Sequence, residues 1–123
     1  MPRSAATALA VDALLVVVFA AIGRAEHERG NAILGALTTA WPFLVGLAVG
    51  WILVRQLGRR WALDLGAGIT IWISTVFLGM VLRQVSGQGT AFSFIVVATL
   101  VLGAFLLGAR LVRGWLARSS LSE

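Results

Sequence analysis

Four apolar runs separated by short polar stretches set the plan of this chain. They cover about Ala6 to Ile22, Ala32 to Val54, Ala62 to Val85, and Ala91 to Leu107 with a continuation to Val112. Each approaches or exceeds the ~20 residues that a helix needs to cross a hydrocarbon core of ~30 Å. The pattern predicts an all-α fold, an integral membrane four-helix bundle. Residues 1–123 form a single transmembrane domain with helices at about 6–22, 32–54, 62–85 and 91–112. The first run begins like a signal peptide, with Arg3 ahead of an apolar stretch and small residues at Ala20 and Ala21. A carboxylate at Asp12 would weaken such a segment, so the run is read as a retained helix.

Polar and small positions inside the runs recur at helical spacing. In the third, Asp64, Gly68, Trp72, Thr75, Gly79 and Arg83 follow in steps of four, four, three, four and four. At about 100° per residue they fall within an arc of roughly 100°. Such a stripe has no use on a helix surrounded by lipid; it predicts a face turned to other helices or to a polar cavity, and a third helix at the centre of the contacts. In the second run Gly35, Thr39, Pro42, Gly46 and Gly50 share one face. Small residues let helix backbones approach closely where lipid supplies no hydrophobic drive. Pro42 removes the bond to the carbonyl of Thr38 and should bend the helix, with the hydroxyls of Thr38 and Thr39 at hand to satisfy the freed group.

Composition agrees. Hydrophobic residues make up 59% of the 123 and charged residues 12%, where a soluble domain carries about a quarter charged. With no cysteine, neither a disulfide framework nor a thiolate metal site is available. The net charge of +5 comes from arginines at the ends of the apolar runs. That placement points to anionic headgroups at the cytoplasmic rim of a lipid bilayer and not to nucleic acid. Seven arginines (Arg3, Arg55, Arg59, Arg60, Arg110, Arg113, Arg118) flank one side and three (Arg24, Arg29, Arg83) the other. The positive-inside rule then puts both termini in the cytoplasm of a multi-pass cell-membrane protein.

Among residues that could carry chemistry, Asp12 stands out. It lies about seven residues into its run, roughly 10 Å deep at 1.5 Å per residue, too far for aspartate to reach water by stretching. A charged Asp at mid-helix costs ~2.5–3.5 kcal/mol on insertion scales, so it must face inward, pair or take up a proton. Asp64 opens a helix and Arg83 closes the same one, both suited to the helix dipole. Trp61 and Trp115 sit at run ends as interfacial residues do, whereas Trp41 and Trp72 lie near mid-run, either packed or walling a cavity. His27, alone between two glutamates, is no metal site. Gly87, Gln88 and Gly89 read as a tight turn, with an anion-accepting backbone nest as the alternative. No nucleophile–base pair, paired carboxylates or phosphate loop is present, so no enzyme and no cofactor is expected.

Asp12, Gly23-Arg24, His27, the block from Ala40 to Trp51, Gly68-Ile69, Trp72, Thr75 and the block from Gly79 to Ile95 resemble a family of small bacterial and archaeal membrane proteins, the domain of unknown function 3054 (DUF3054). The resemblance spans nearly the whole chain and implies four membrane helices, with no activity, substrate or cofactor attached.

Three functions are therefore weighed. In the first, the chain is a small transporter or channel subunit in which Asp12 binds a proton or cation and Asp64, Trp72, Thr75 and Arg83 line the path. Four short helices barely enclose a pathway, so a homodimer or larger assembly is expected with it. In the second, it is a non-catalytic scaffold or partner-binding protein whose polar stripe is packing glue, with Gly35, Gly46, Gly50, Gly68 and Gly79 seating the helices. A third, lipid handling, rests on the basic rim and the mid-run tryptophans.

Overall fold

The computed structural model describes residues 2–25, 32–58 and 63–121. The loop holding His27 and its two glutamates, together with Arg59, Arg60 and Trp61, lies outside the described residues. Four helices follow in order: α1 (Arg3–Ala25), α2 (Ala32–Gly58), α3 (Leu65–Val85) and α4 (Phe92–Leu121). All four are long and apolar enough to cross a membrane. Three of them outrun the apolar stretches that announce them, because hydropathy marks only the hydrocarbon-matched part and arginine and leucine sustain a helix beyond it. The third begins at Leu65 and not at Ala62, since Asp64 adopts an extended backbone and caps it, its Oδ2 accepting from the Ala67 amide at 3.2 Å.

The helices form a ring in which each packs on its sequence neighbours and α4 closes on α1. The seam between α2 and α3 is the most extensive and that between α1 and α4 the least. This corrects the expectation of a central third helix: α3 holds one corner of a four-membered ring. The diagonal space is filled by side chains. Phe19 of α1, Phe43 of α2 and Phe94 of α4 meet with ring centroids 5.6 to 6.0 Å apart, the first two edge to face. Gly79 of α3 lies directly under the Phe43 ring, where any Cβ would overlap it.

Large apolar side chains cover the outside as well as the core. Leu14, Ile22, Leu57, Ile73, Phe77, Phe92 and Leu100 are all more than half exposed. An aqueous surface would not carry such a coat, whereas hydrocarbon suits it. Threonine hydroxyls inside the helices are tied down locally: Thr38, Thr75 and Thr99 each donate to the carbonyl four residues back at 2.7 to 2.9 Å. Each hydroxyl hydrogen is therefore satisfied within its own helix.

α2 runs unbroken through Pro42. The carbonyl of Thr38, which the proline leaves without its usual donor, receives the side-chain amide of Gln88 at 3.2 Å. The Thr38 hydroxyl donates instead to Leu34, so the expected local repair is replaced by one from the α3–α4 turn. Gln88 is held in turn by Arg83, whose guanidinium donates to Gln88 Oε1 at 3.1 Å and to the Gly89 carbonyl at 3.0 Å, and sits 4.3 Å over the Phe94 ring. Gly87 and Gly89 take φ of 83° and 85°, which fixes glycine at both positions. Replacing Gln88 with Leu should cost about 0.5–1.5 kcal/mol by removing the donor to the Thr38 carbonyl. A lowered unfolding midpoint in detergent is the expected readout, and Gln88→Glu, which loses the donor to Thr38 but keeps an acceptor for Arg83, should lose less than Leu.

Candidate functional site

The polar centre of the bundle is assembled from all four helices. Asp12 sits on the inward face of α1 with Ala5, Val16, Phe19 and Ala20, and is 1% exposed. Arg110 sits on the inward face of α4, continuing the buried series Ala98, Leu102, Leu106 at steps of four. The two form a bidentate pair: Arg110 Nη1 donates to Asp12 Oδ1 at 2.8 Å and Nη2 to Oδ2 at 2.7 Å. Trp51 of α2 donates its indole N–H to the same Oδ2 at 2.9 Å. Arg110 Nη1 also reaches the Leu106 carbonyl at 3.1 Å. From α3, Gly68 provides the room: a Cβ there would overlap Arg110 Cδ and press on Leu107.

The chemistry of this cluster follows from its geometry. A guanidinium fork matched to a carboxylate is the strongest ion-pair geometry side chains offer, and both oxygens of Asp12 are engaged. Desolvating two opposite charges together avoids the several kcal/mol that either would cost alone. Trp51 fills the remaining space with an apolar ring and one donor, an arrangement that uses both ends of the side chain. Truncating that donor, as in Trp51→Phe, should destabilise by about 1.5–3 kcal/mol, the range for a hydrogen bond to a charged group, measurable as a lowered unfolding midpoint.

The other residues singled out in the sequence lie elsewhere. Asp64 is exposed at the start of α3. Trp72 stands at the α3–α4 seam, donating to the Thr99 carbonyl at 2.9 Å, with Gly103 beneath its ring. It borders a shallow apolar groove of about 420 Å³ that contains no charged side chain. Thr75 is fully buried against α2, and Arg83 belongs to the α3–α4 turn. The stripe thus packs against α2 at Thr75, beneath Phe43 at Gly79 and against α4 at Gly68 and Trp72, while Asp12 gathers none of its polar side chains. Gly46 and Gly50 face α3 so closely that a Cβ on Gly46 would stand 2.8 Å from the Ser74 carbonyl oxygen and 2.9 Å from the Thr75 Cα. Gly35 is buried on the same helix.

Four contributors were not singled out by sequence reasoning, among them Trp51, whose indole closes on Asp12 from α2. Arg110 was grouped with the headgroup-facing rim, yet it is 5% exposed and turned inward. The signal was present in its register with Leu102 and Leu106 and in the need of a buried acid for a base. Ser74 was passed over for the stripe; its hydroxyl donates to the Gly46 carbonyl at 2.8 Å across the tightest crossing. Gly103 gives Trp72 its seat.

One side of the cluster opens outward. Between α1 and α4, the least extensive seam, lies a groove of about 800 Å³ whose floor includes Asp12 and Arg110. Ala8, Val11, Leu15, Ala104 and Phe105 form much of its wall, and Arg113 and Leu116 stand towards one end. Its size is that of a small-molecule site, with few polar groups among apolar ones. No metal-binding group of acidic or histidine side chains exists among the described residues.

Compared with known proteins, residues 9–113 match the family described as "Protein of unknown function (DUF3054)". No curated protein and no solved structure matches the chain.

Proposed function

The chain belongs to the DUF3054 family, whose description assigns no activity, and from its interior we propose an integral membrane binding protein and not a conduit. One observation carries this: the carboxylate of Asp12, the residue best placed to bind a passing proton or cation, already accepts from Arg110 at both oxygens and from Trp51. The polar side chains of α3 support the same reading, because Trp72, Thr75 and Arg83 of the stripe and Ser74 beside it each spend their donors on neighbouring carbonyls. The polar interior acts as a clamp that holds four helices in register around the α1–α4 groove, and the groove does the binding. In proteoliposomes under an imposed pH or potassium gradient, the chain should pass no more protons or cations than empty vesicles. A flux present in the wild type and lost in Asp12→Asn would overturn the reading and restore Asp12 as an ion site.

Both chain ends are proposed to be cytoplasmic, on the strength of the seven-to-three arginine bias. The absence of cysteine makes the test direct. Ser86→Cys in the α3–α4 turn should react with an impermeant maleimide added to intact cells, and Ser4→Cys only after permeabilisation. The reverse pattern would invert the protein.

A further inference from the structure

Resting on that reading, we propose that the α1–α4 groove holds one anionic phospholipid, an acyl chain along its apolar wall and the phosphate on Arg113. Three observations point to this occupant. The groove opens on the outer surface of the bundle, which is covered by exposed apolar side chains, so what meets it first is lipid. Its two walls are apolar from Leu15 and Phe105 outward, a strip suited to a hydrocarbon chain. Its charge is one-sided: Asp12 is taken up by Arg110, while Arg113 lines the groove without an ion-pair or hydrogen-bond partner among the described residues.

Depth agrees with charge. Arg113 follows Phe92, the first residue of α4, by about 20 residues, so the two are separated by about 30 Å of helix axis, one hydrocarbon thickness. With Phe92 at one interface, the Arg113 guanidinium lies at the phosphate level of the other. That face also carries Arg3, Arg55 and Arg118, which raise the local concentration of anionic lipid. A guanidinium offers a phosphate two parallel N–H donors, which favours an anionic headgroup over one whose phosphate is already paired with choline.

The test uses the full chain, delipidated in detergent and titrated with phosphatidylglycerol or phosphatidylcholine of the same acyl composition, read by native mass spectrometry. One phosphatidylglycerol should be retained per chain. Arg113→Gln should weaken that binding about fivefold, the value of one arginine near an anionic surface, and leave phosphatidylcholine unchanged. Ala104 is exposed, so Ala104→Trp should fill the groove without disturbing the core and remove the bound lipid, and Val11→Trp, at an exposed position on the opposite wall, should do the same if the first variant fails to fold. Equal retention of the two lipids, no effect of Arg113→Gln, displacement by millimolar inorganic phosphate, or a wild-type dimer broken by Ala104→Trp would each overturn the proposal, the last by placing a second copy in the groove. Failure here with no ion flux in proteoliposomes removes the lipid alone; an Asp12-dependent flux removes the binding reading itself.

Discussion

Asp12→Asn or Arg110→Gln alone should destabilise the bundle by about 3–5 kcal/mol, the cost of leaving one buried charge without its partner. The double variant Asp12→Asn/Arg110→Gln should recover most of that loss, since two neutral amide side chains in the same space carry no charge to desolvate. The sum of the singles should therefore exceed the double by several kcal/mol, an interaction term read from unfolding in mixed micelles. The scale follows from geometry: Arg110 and Asp12 side chains are 3% and 1% exposed, and the pair is bidentate at 2.7 and 2.8 Å. Because Trp51 donates to Asp12 from α2 and Gly68 seats Arg110 from α3, the loss should reach all four helices and not the α1–α4 seam alone. Additive singles would show that the charges are independently solvated.

Gly46→Leu should be as damaging by another route. A Cβ at that position lies inside contact distance of backbone atoms on α3, the Ser74 oxygen at 2.8 Å and the Thr75 Cα at 2.9 Å, neither of which can rotate away. The helices must separate, breaking the Ser74 hydroxyl bond to the Gly46 carbonyl and opening the most extensive seam of the ring. Overpacking commonly costs 1–3 kcal/mol; with backbone as the obstacle the expected loss is about 3 kcal/mol or more, seen as failure to purify as a folded protein. Gly50→Ala should do less: its Cβ would lie 3.0 Å from the Ile71 Cα and 3.1 Å from the Ser74 Cβ, so a few tenths of an ångström of movement accommodate it. Gly79→Leu meets the Phe43 ring instead, which can shift, at the expense of the three-ring cluster. With alanine at each position, Gly46→Ala is expected to melt lower than Gly50→Ala by circular dichroism.

Much of this architecture was legible in the chain itself. Four apolar runs became four helices, and the Gly46–Gly50 part of the small-residue face of α2, read from spacing, is where the backbone of α3 comes closest. Asp12 was legible as a buried acid for the same reason that makes it unusual: aspartate has no length with which to escape hydrocarbon. Its partner was harder to see because two rules compete at Arg110. An arginine near the end of an apolar run ordinarily extends to the headgroups, and only its register with Leu102 and Leu106 turns it inward. The role of Gln88 was hidden for a different reason: the proline that frees the Thr38 carbonyl and the amide that satisfies it lie on different elements, and no local pattern joins them. The α3 stripe was placed slightly off its true face. Ile71, Ser74 and Thr75 are buried while Trp72 and Arg83 stand at its margin, because a stripe chosen by polarity includes residues that reach sideways to a neighbouring seam.

In the bilayer itself, Asp12 should be closed off by Arg110 and Trp51. Solid-state NMR of the reconstituted chain, with ¹⁵N on arginine and ¹³C on aspartate side chains, measures that contact directly. The expected result is a strong dipolar coupling between an arginine Nη and an aspartate Cγ that disappears in Arg110→Gln, together with a Trp51 indole proton protected from exchange with deuterated water. No such coupling, with an Asp12 carboxylate in contact with water, would contradict it.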